Sequence, residues 1–459
     1  MNISFNWLKE FLNIDIEIEK VSEILTDIGL EVEGIDEYQE IKGSLEGLLT
    51  GKVISCVKHP NADRLKLTTV DIGEESLLQI VCGAPNVESG QHVIVATIGT
   101  ILHPLNSDEF KINKSKIRGE LSQGMICAED EIGIGESHEG IIVLDKKYKP
   151  GTKVSKIIEN YKDFIFNIGL TPNRSDAMSH HGVARDIRAA LIHKGLKSEL
   201  LTPSVSSFHI NSRTQKVNVK VSNQELCPRF SGICIENIKI DNSPKWLQDR
   251  LKAIGLTPIN NIVDITNYVL HEVGQPLHAY DLKKIKSKTI EVKTLKEGST
   301  FITLDGVERK LKNTDLMICD KNTPMCIAGV YGGDYYGVSK ETSSIFLESA
   351  CFNPVSIRKT AKAHSINSDA SFRFERGINI ELIKYALKRA AILICEICNG
   401  KICSDLIDEY PKKIENISIL LNYEKTNNLI GQKIPSEEIK SILTSLDFKI
   451  NNITETGVG

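Results

Sequence analysis

Between residues 48 and 144 the apolar residues recur at every second position, in short runs broken by turn text. Leu49-Gly51-Val53, Leu65-Leu67-Thr69, Leu77-Gln79-Val81 and Val93-Val95-Thr97 each alternate in this way. Period two places one set of side chains on a buried face and the other on an exposed face, which is the pattern of strands. His59-Pro60-Asn61-Ala62-Asp63 and Glu88-Ser89-Gly90 punctuate them as turns. Several short strands at this spacing predict a small closed or partly closed β-barrel. The flanking text has a different period, so the barrel is expected to be one domain among several.

On the N-terminal side, Ile18, Val21, Ile24, Leu25 and Ile28 fall at helical spacing, with Gly29 at the helix end. Leu30-Glu31-Val32-Glu33 then alternates as a short strand, and the acidic, Gly-punctuated residues 37–47 read as a linker. Beyond the barrel, helical text returns over 154–158 and 182–193, where Val183, Ile187, Ala190 and Leu191 share a face. Neither flank has enough apolar surface for a core of its own, while each carries one amphipathic helix. This predicts that 1–39 packs against 156–200 as one small α+β domain, with the barrel, 40–155, inserted.

Thr202-Pro203-Ser204-Val205-Ser206-Ser207 reads as a linker. A mixed region follows and closes with a helix that carries Leu382, Ala386, Leu387, Ala390 and Ile394 on one stripe, ended by Asn399-Gly400. The tail reads as a strand over 417–421, a short helix, a turn at Gly431, a helix N-capped by Ser436 and a strand over 448–453. Turn text over 454–457 leaves that last strand without a hairpin partner, so the chain is expected to be a fragment of a longer protein. The fold class is therefore α+β and multidomain, with an inserted barrel, a mixed α/β domain over 205–400 and an incomplete α+β domain over 401–459.

Charge narrows the classes of function. The chain carries 56 Lys+Arg against 60 Asp+Glu, a net of −4, which excludes a generally basic nucleic-acid coat but leaves a local basic face open. The longest apolar stretch, 93–102, is interrupted by Thr97, Gly99 and Thr100, so no membrane span is expected. The N-terminus has no basic region before an apolar core, and the odd count of 11 cysteines fits reduced thiols. Both point to the cytoplasm.

Most short motifs fail on spacing. Gly47-Leu48-Leu49-Thr50-Gly51-Lys52-Val53 is one residue short of a phosphate loop and has Val where a hydroxyl would meet magnesium. Gly133-Ile134-Gly135 lacks the third glycine of a dinucleotide site. His271-Glu272 is followed by His278 seven residues on, across Gly274 and Pro276, so zinc ligation on one helix fails and a metal-dependent hydrolase is rejected. Cys395, Cys398 and Cys403 make half a metal site, better read as buried thiols. Phe372-Arg373-Phe374-Glu375 matches a short ATP-gripping pattern of class II tRNA synthetases, but the strand context is absent. Arg373 and Arg376 are read instead as structural ion-pair or RNA-backbone residues.

Longer blocks carry a resemblance. Val53-Ile54-Ser55-Cys56-Val57-Lys58-His59-Pro60-Asn61-Ala62-Asp63-Arg64-Leu65 and Gln79-Ile80-Val81-Cys82-Gly83-Ala84-Pro85-Asn86-Val87 resemble the tRNA-binding OB-fold barrel of several tRNA-handling proteins. Thr171-Pro172-Asn173-Arg174-Ser175-Asp176 and His181-Gly182-Val183-Ala184-Arg185-Asp186 resemble the element after that barrel in bacterial phenylalanyl-tRNA synthetase beta subunits. Val263-Asp264-Ile265-Thr266-Asn267-Tyr268, Gln275-Pro276-Leu277-His278-Ala279-Tyr280-Asp281 and residues 372–377 follow in the same order. The resemblance covers essentially the whole chain. It departs where the family continues past residue 459 with magnesium carboxylates, an inactive catalytic-like module and an anticodon-binding domain, and at His180, His181 and Ser368.

The resemblance implies a division of labour. Catalytic alpha subunits activate phenylalanine with ATP, and beta subunits supply tRNA contacts and hydrolytic editing of mischarged tyrosyl-tRNA. The two assemble as a heterotetramer of two alpha and two beta subunits acting on tRNA(Phe). Magnesium ligands would lie beyond this chain, with no metal held within it. Residues 205–400 would be a B3/B4-type editing domain and 401–459 the start of a B5-type domain. Carried over by motif, the editing residues are His278, Thr266 and Glu348, with Asn267, Ala328, Gly329, Ser368 and Ala370 binding the substrate. Candidate tRNA contacts are Lys111, Lys114, Lys116 and Arg118 on the barrel and Arg358, Lys359 and Lys362 beyond it. The barrel segment 51–155 holds 12 Lys+Arg and 14 Asp+Glu, a net of −2, so it is expected to be an accessory RNA contact. The alternative is a freestanding RNA-binding or trans-editing protein without a synthetase partner.

Overall fold

The computed structural model describes residues 1–13, 15–145 and 148–459. Lys146 and Lys147, two of the barrel lysines counted above, lie outside the described residues. Two compact units form, Glu37–Asp163 and Met1–Asp36 with Phe164–Gly459.

In the Glu37–Asp163 unit the strands run in the order Gly124–Ile126, His92–Thr97, Leu48–Lys58, Lys66–Asp71 and Leu78–Cys82. Of the alternating text, Val53, Val93 and Val95 are wholly buried, whereas in the second and third strands the buried set is the opposite one: Val70 and Ile80 are wholly buried, and Leu65, Leu67, Leu77, Gln79 and Val81 are not. A register shift between Val53 and Ser55 marks a bulge in the longest strand, and bulges bend and twist a sheet. Its first half pairs with His92–Thr97 and its second with Lys66–Asp71. At the free edge of Leu78–Cys82, Gln123 N–H donates to the Gln79 carbonyl at 2.8 Å and Val81 N–H donates to Ser122 Oγ at 3.1 Å. The sheet therefore curls into a nearly closed barrel.

The larger unit begins with Lys162–Gly169 lying between Asn2–Ser4 and Glu31–Gln39 in one sheet. Ser4 caps the helix Phe5–Phe11 by accepting from Trp7 N–H. The buried Trp7 ring is stacked between His180, at 4.0 Å, and Tyr268, at 4.6 Å. One core runs from Ile3, Trp7 and Leu8 through Val183 and Ile187 to Ile265, Leu347 and Leu387. Residues on both sides of the 202–207 stretch contribute to it.

Two sheets form the rest of that unit. In one, Leu277–Asp281, Ser344–Cys351 and Arg229–Glu236 are antiparallel neighbours, and in the other Thr289–Thr294, Leu316–Asp320 and Thr323–Ile327 are. The central strands of the first are buried on both faces. Ile345 and Leu347 belong to the core shared with the helices Asn261–Val273 and Leu382–Cys398, while Phe346 and Ala350 belong to a second core shared with the other sheet. By period two, Glu348 lies on the Phe346 face. Gly232 faces Glu348 in register, and a Cβ there would sit 2.1 Å from Phe346 Cζ. Gly232→Ala should therefore cost about 1–3 kcal/mol by overpacking, measured as a lower urea midpoint.

Several expectations are corrected. Residues 37–39 finish the strand Glu31–Gln39, and Lys42–Leu45 makes a 3-10 turn, so 37–47 is not linker throughout. The text over 154–158 yields one 3-10 turn, Val154–Lys156. In the tail, Ile417, Ile419 and Leu420 stay exposed outside any strand, because alternation makes a strand only where a neighbour covers one face. Residues 448–452 are likewise not a strand, and Gly457, read as turn text, forms with Val458 a short strand that pairs with Leu421–Asn422. Pro435 rather than Ser436 occupies the cap of the last helix, with no side-chain cap bond. No helix among the described residues is long and apolar enough to cross a membrane.

Candidate functional site

The helix Asn261–Val273 starts at Asn260, whose side chain accepts from the N–H groups of Ile262 and Val263, and stops at Gly274 in the left-handed region. Val263, Thr266, Asn267 and Leu270 recur at helical spacing and share one face. That face lines a pocket of about 450 Å³ with His278, Glu348, Gly329, Ser368 and Ala370. Seven residues proposed from separate sequence blocks thus meet in one cavity. The eighth, Ala328, does not line it: it is 1% exposed and packed in the second core. A tryptophan there would disrupt the core rather than fill the pocket.

The pocket floor is polar. His278 and Glu348 are directly opposed across antiparallel strands. Glu348 is 5% exposed, and its Oε2 accepts from the Tyr280 hydroxyl at 2.7 Å. Burial pushes the carboxyl up to about 8, although the Tyr280 hydrogen bond acts in the opposite direction. Glu348 is therefore mainly neutral at pH 7. The His278 ring, set edge-on to Tyr280 with centroids 4.5 Å apart, is pulled down to about 4 by burial and is neutral too. A neutral imidazole can accept a proton from water.

The walls are less free to do chemistry. Thr266 Oγ1 donates to the Val263 carbonyl at 2.7 Å, which leaves its lone pairs as acceptors. Ser368 caps the helix Asp369–Phe374, accepting from Ser371 N–H and donating to the Val330 carbonyl at 2.8 Å, so its hydroxyl serves the fold. Gly329 has a φ of +67°, and a Cβ there would sit 2.7 Å from Phe352 and 2.9 Å from Phe374, so only glycine fits. Tyr280 is a residue of this site that the sequence alone does not single out. Its spacing of two from His278 on one strand was the available signal. Among the described residues no group of three or more His, Cys, Asp or Glu is arranged to hold a metal.

The sign of the Glu348 shift gives a stability test. The folded carboxyl keeps its proton up to about pH 8, whereas the unfolded one loses it near the ordinary value of 4.5. Stability is thus lost as pH rises from the lower value to the higher. Glu348→Gln removes that loss. The variant should match the parent near pH 4.5 and gain about 4 kcal/mol over it near pH 8, read from urea denaturation at each pH.

Arg373 and Arg376 fit the ion-pair alternative rather than the RNA-backbone one. Arg373 is 2% exposed and bonds to Asp369, the Met178 carbonyl and His271 Nδ1, so it is a core residue. Arg376 pairs with Glu375 and lies over the Phe372 ring. Arg358, Lys359 and Lys362 remain exposed on the helix Pro354–His364, as do Lys111, Lys114, Lys116 and Arg118 on the barrel.

Residues 48–153 match the putative tRNA binding domain, and residues 226–399 match the B3/4 domain. A multidomain α+β chain with a tRNA-binding barrel and a B3/4 domain is the class that the fold and pocket define. The chain is 52% identical over 459 residues to the phenylalanine–tRNA ligase beta subunit of Bacteroides fragilis YCH46, covering 100% of this chain and 56% of that protein. It is 50% identical over 461 residues to that of Porphyromonas gingivalis, at 100% and 56% coverage, and 41% identical over 456 residues to that of Fusobacterium nucleatum, at 99% and 55%. Over its whole length the chain is similar to phenylalanine–tRNA ligase beta subunits. It spans about half the length of the curated relatives it matches.

Proposed function

We propose that the pocket is the hydrolytic editing site of a phenylalanine–tRNA ligase, selecting tyrosine attached in error to tRNA(Phe). The observation that carries this is Glu348, a buried carboxyl on the polar floor of an otherwise largely apolar pocket, with one oxygen held by Tyr280 and the other without a hydrogen-bond partner among the described residues. An apolar synthetic site rejects a substrate with one added hydroxyl only about a hundredfold. A second site with a buried polar group reverses the preference. A phenol pairs with it, whereas a phenyl ring leaves it desolvated at a cost of about 1–3 kcal/mol. His278 and Thr266 then position water at the ester, and Asn267 and Gly329 hold the amino acid.

Phenylalanine activation, with its ATP and magnesium, belongs to a partner alpha subunit in this reading, in a cytoplasmic heterotetramer. The exposed lysines and arginines of the barrel and of Pro354–His364 face the tRNA. The domains divide as 1–39 with 156–200, 40–155, 205–400 as the editing domain, and 401–459 as part of a further domain. The isolated chain should accordingly give no phenylalanine-dependent ATP–pyrophosphate exchange, and robust exchange by it would refute that division. The editing role is tested by deacylation of preformed tyrosyl-tRNA(Phe) beside phenylalanyl-tRNA(Phe). The first should be hydrolysed and the second spared.

A further inference from the structure

We infer that Tyr280 is the positioning residue of this pocket: by giving its hydroxyl proton to Glu348 Oε2, it reserves Oε1 for the phenol of the ligand. The inference rests on the editing reading. Tyr280 faces Phe346 in register and so stands diagonal to Glu348 on the same face of the sheet. It is wholly buried, and its hydroxyl reaches Glu348 Oε2 at 2.7 Å.

A hydroxyl has one proton to give. With that proton on Oε2, the neutral carboxyl carries its own on Oε1. Neutral Glu348 therefore presents a donor to the ligand, and ionised Glu348 an acceptor. A phenol can answer either state; a phenyl ring can answer neither. The other titratable groups near this carboxyl are His278 on the same strand as Tyr280, Cys326 on Thr323–Ile327 and Cys227 ahead of Arg229–Glu236. Burial keeps all three uncharged near neutral pH. Tyr280 is then the polar neighbour that fixes how the carboxyl is aimed and how readily it ionises. Without its hydroxyl the carboxyl is free to turn, and ionisation becomes harder.

The test is deacylation of preformed tyrosyl-tRNA(Phe) by the assembled ligase across pH 6–9. Tyr280→Phe should slow it about tenfold near neutral pH, the worth of one buried hydrogen bond, and move the midpoint of the pH profile upward. In a Glu348→Ala background the same change should add nothing. Should Tyr280→Phe fold poorly, 3,5-difluorotyrosine at position 280 keeps the shape and strengthens the donor, and the midpoint should then move down. A parental rate and midpoint in Tyr280→Phe, or with difluorotyrosine an unmoved midpoint, would overturn the inference if Glu348→Ala is crippled. A parental rate in Glu348→Ala would instead overturn the editing reading and this inference with it.

Discussion

Replacing Glu348 by alanine should slow hydrolysis of tyrosyl-tRNA(Phe) by about ten- to a hundredfold while phenylalanine charging stays near the parental rate. The range follows from burying the ligand's phenol against a methyl group, which strands a polar group at about 1–3 kcal/mol. Because burial holds Glu348 neutral near pH 7, no charge-assisted bond is lost there. Raising the pH through about 8 should increase the parent's preference for tyrosine, as an ionised carboxyl accepts more strongly. The check is single-turnover deacylation beside aminoacylation for both proteins. An unchanged deacylation rate in Glu348→Ala would refute the role given to this residue.

Arg373→Ala should destabilise the larger unit by about 3–5 kcal/mol. The guanidinium is buried, donates to the Met178 carbonyl and to Asp369, and meets His271 Nδ1 at 3.3 Å. Alanine leaves a cavity and removes the guanidinium that joins these three. Arg373→Lys should recover little, since an ammonium cannot reproduce the planar fork. Urea denaturation reads the loss directly. A variant within 1 kcal/mol of the parent would show that Arg373 is dispensable to the core.

The barrel was legible by its period of two, although Val70 and Ile80 are buried out of phase with the positions read and the strand His92–Thr97 is buried on both faces. The helix Leu382–Cys398 was legible by its stripe. Thr266, Asn267, His278, Gly329, Glu348, Ser368 and Ala370 came from the family resemblance, and what brings them together is tertiary: a helix face, two strand positions, a turn and the start of a second helix. The division between Ala328 and Gly329 was not legible, because neighbouring small residues look alike until the positive φ of one turns the chain. Whether Arg373 was an ion-pair or an RNA-backbone residue was left open, because its partners Met178 and His271 lie on other segments. The tail misled because apolar alternation at Ile417 and Ile419 carries no information on whether a neighbouring strand exists.

Binding of free tyrosine and phenylalanine to this 459-residue chain tests the central claim most directly. In a crystal of the tyrosine complex the ligand ring should lie in the pocket beneath Asn261–Val273, with its hydroxyl within hydrogen-bond distance of Glu348, and calorimetry should show tyrosine bound more tightly than phenylalanine. Equal affinity for the two amino acids, or tyrosine seated away from Glu348, would contradict it.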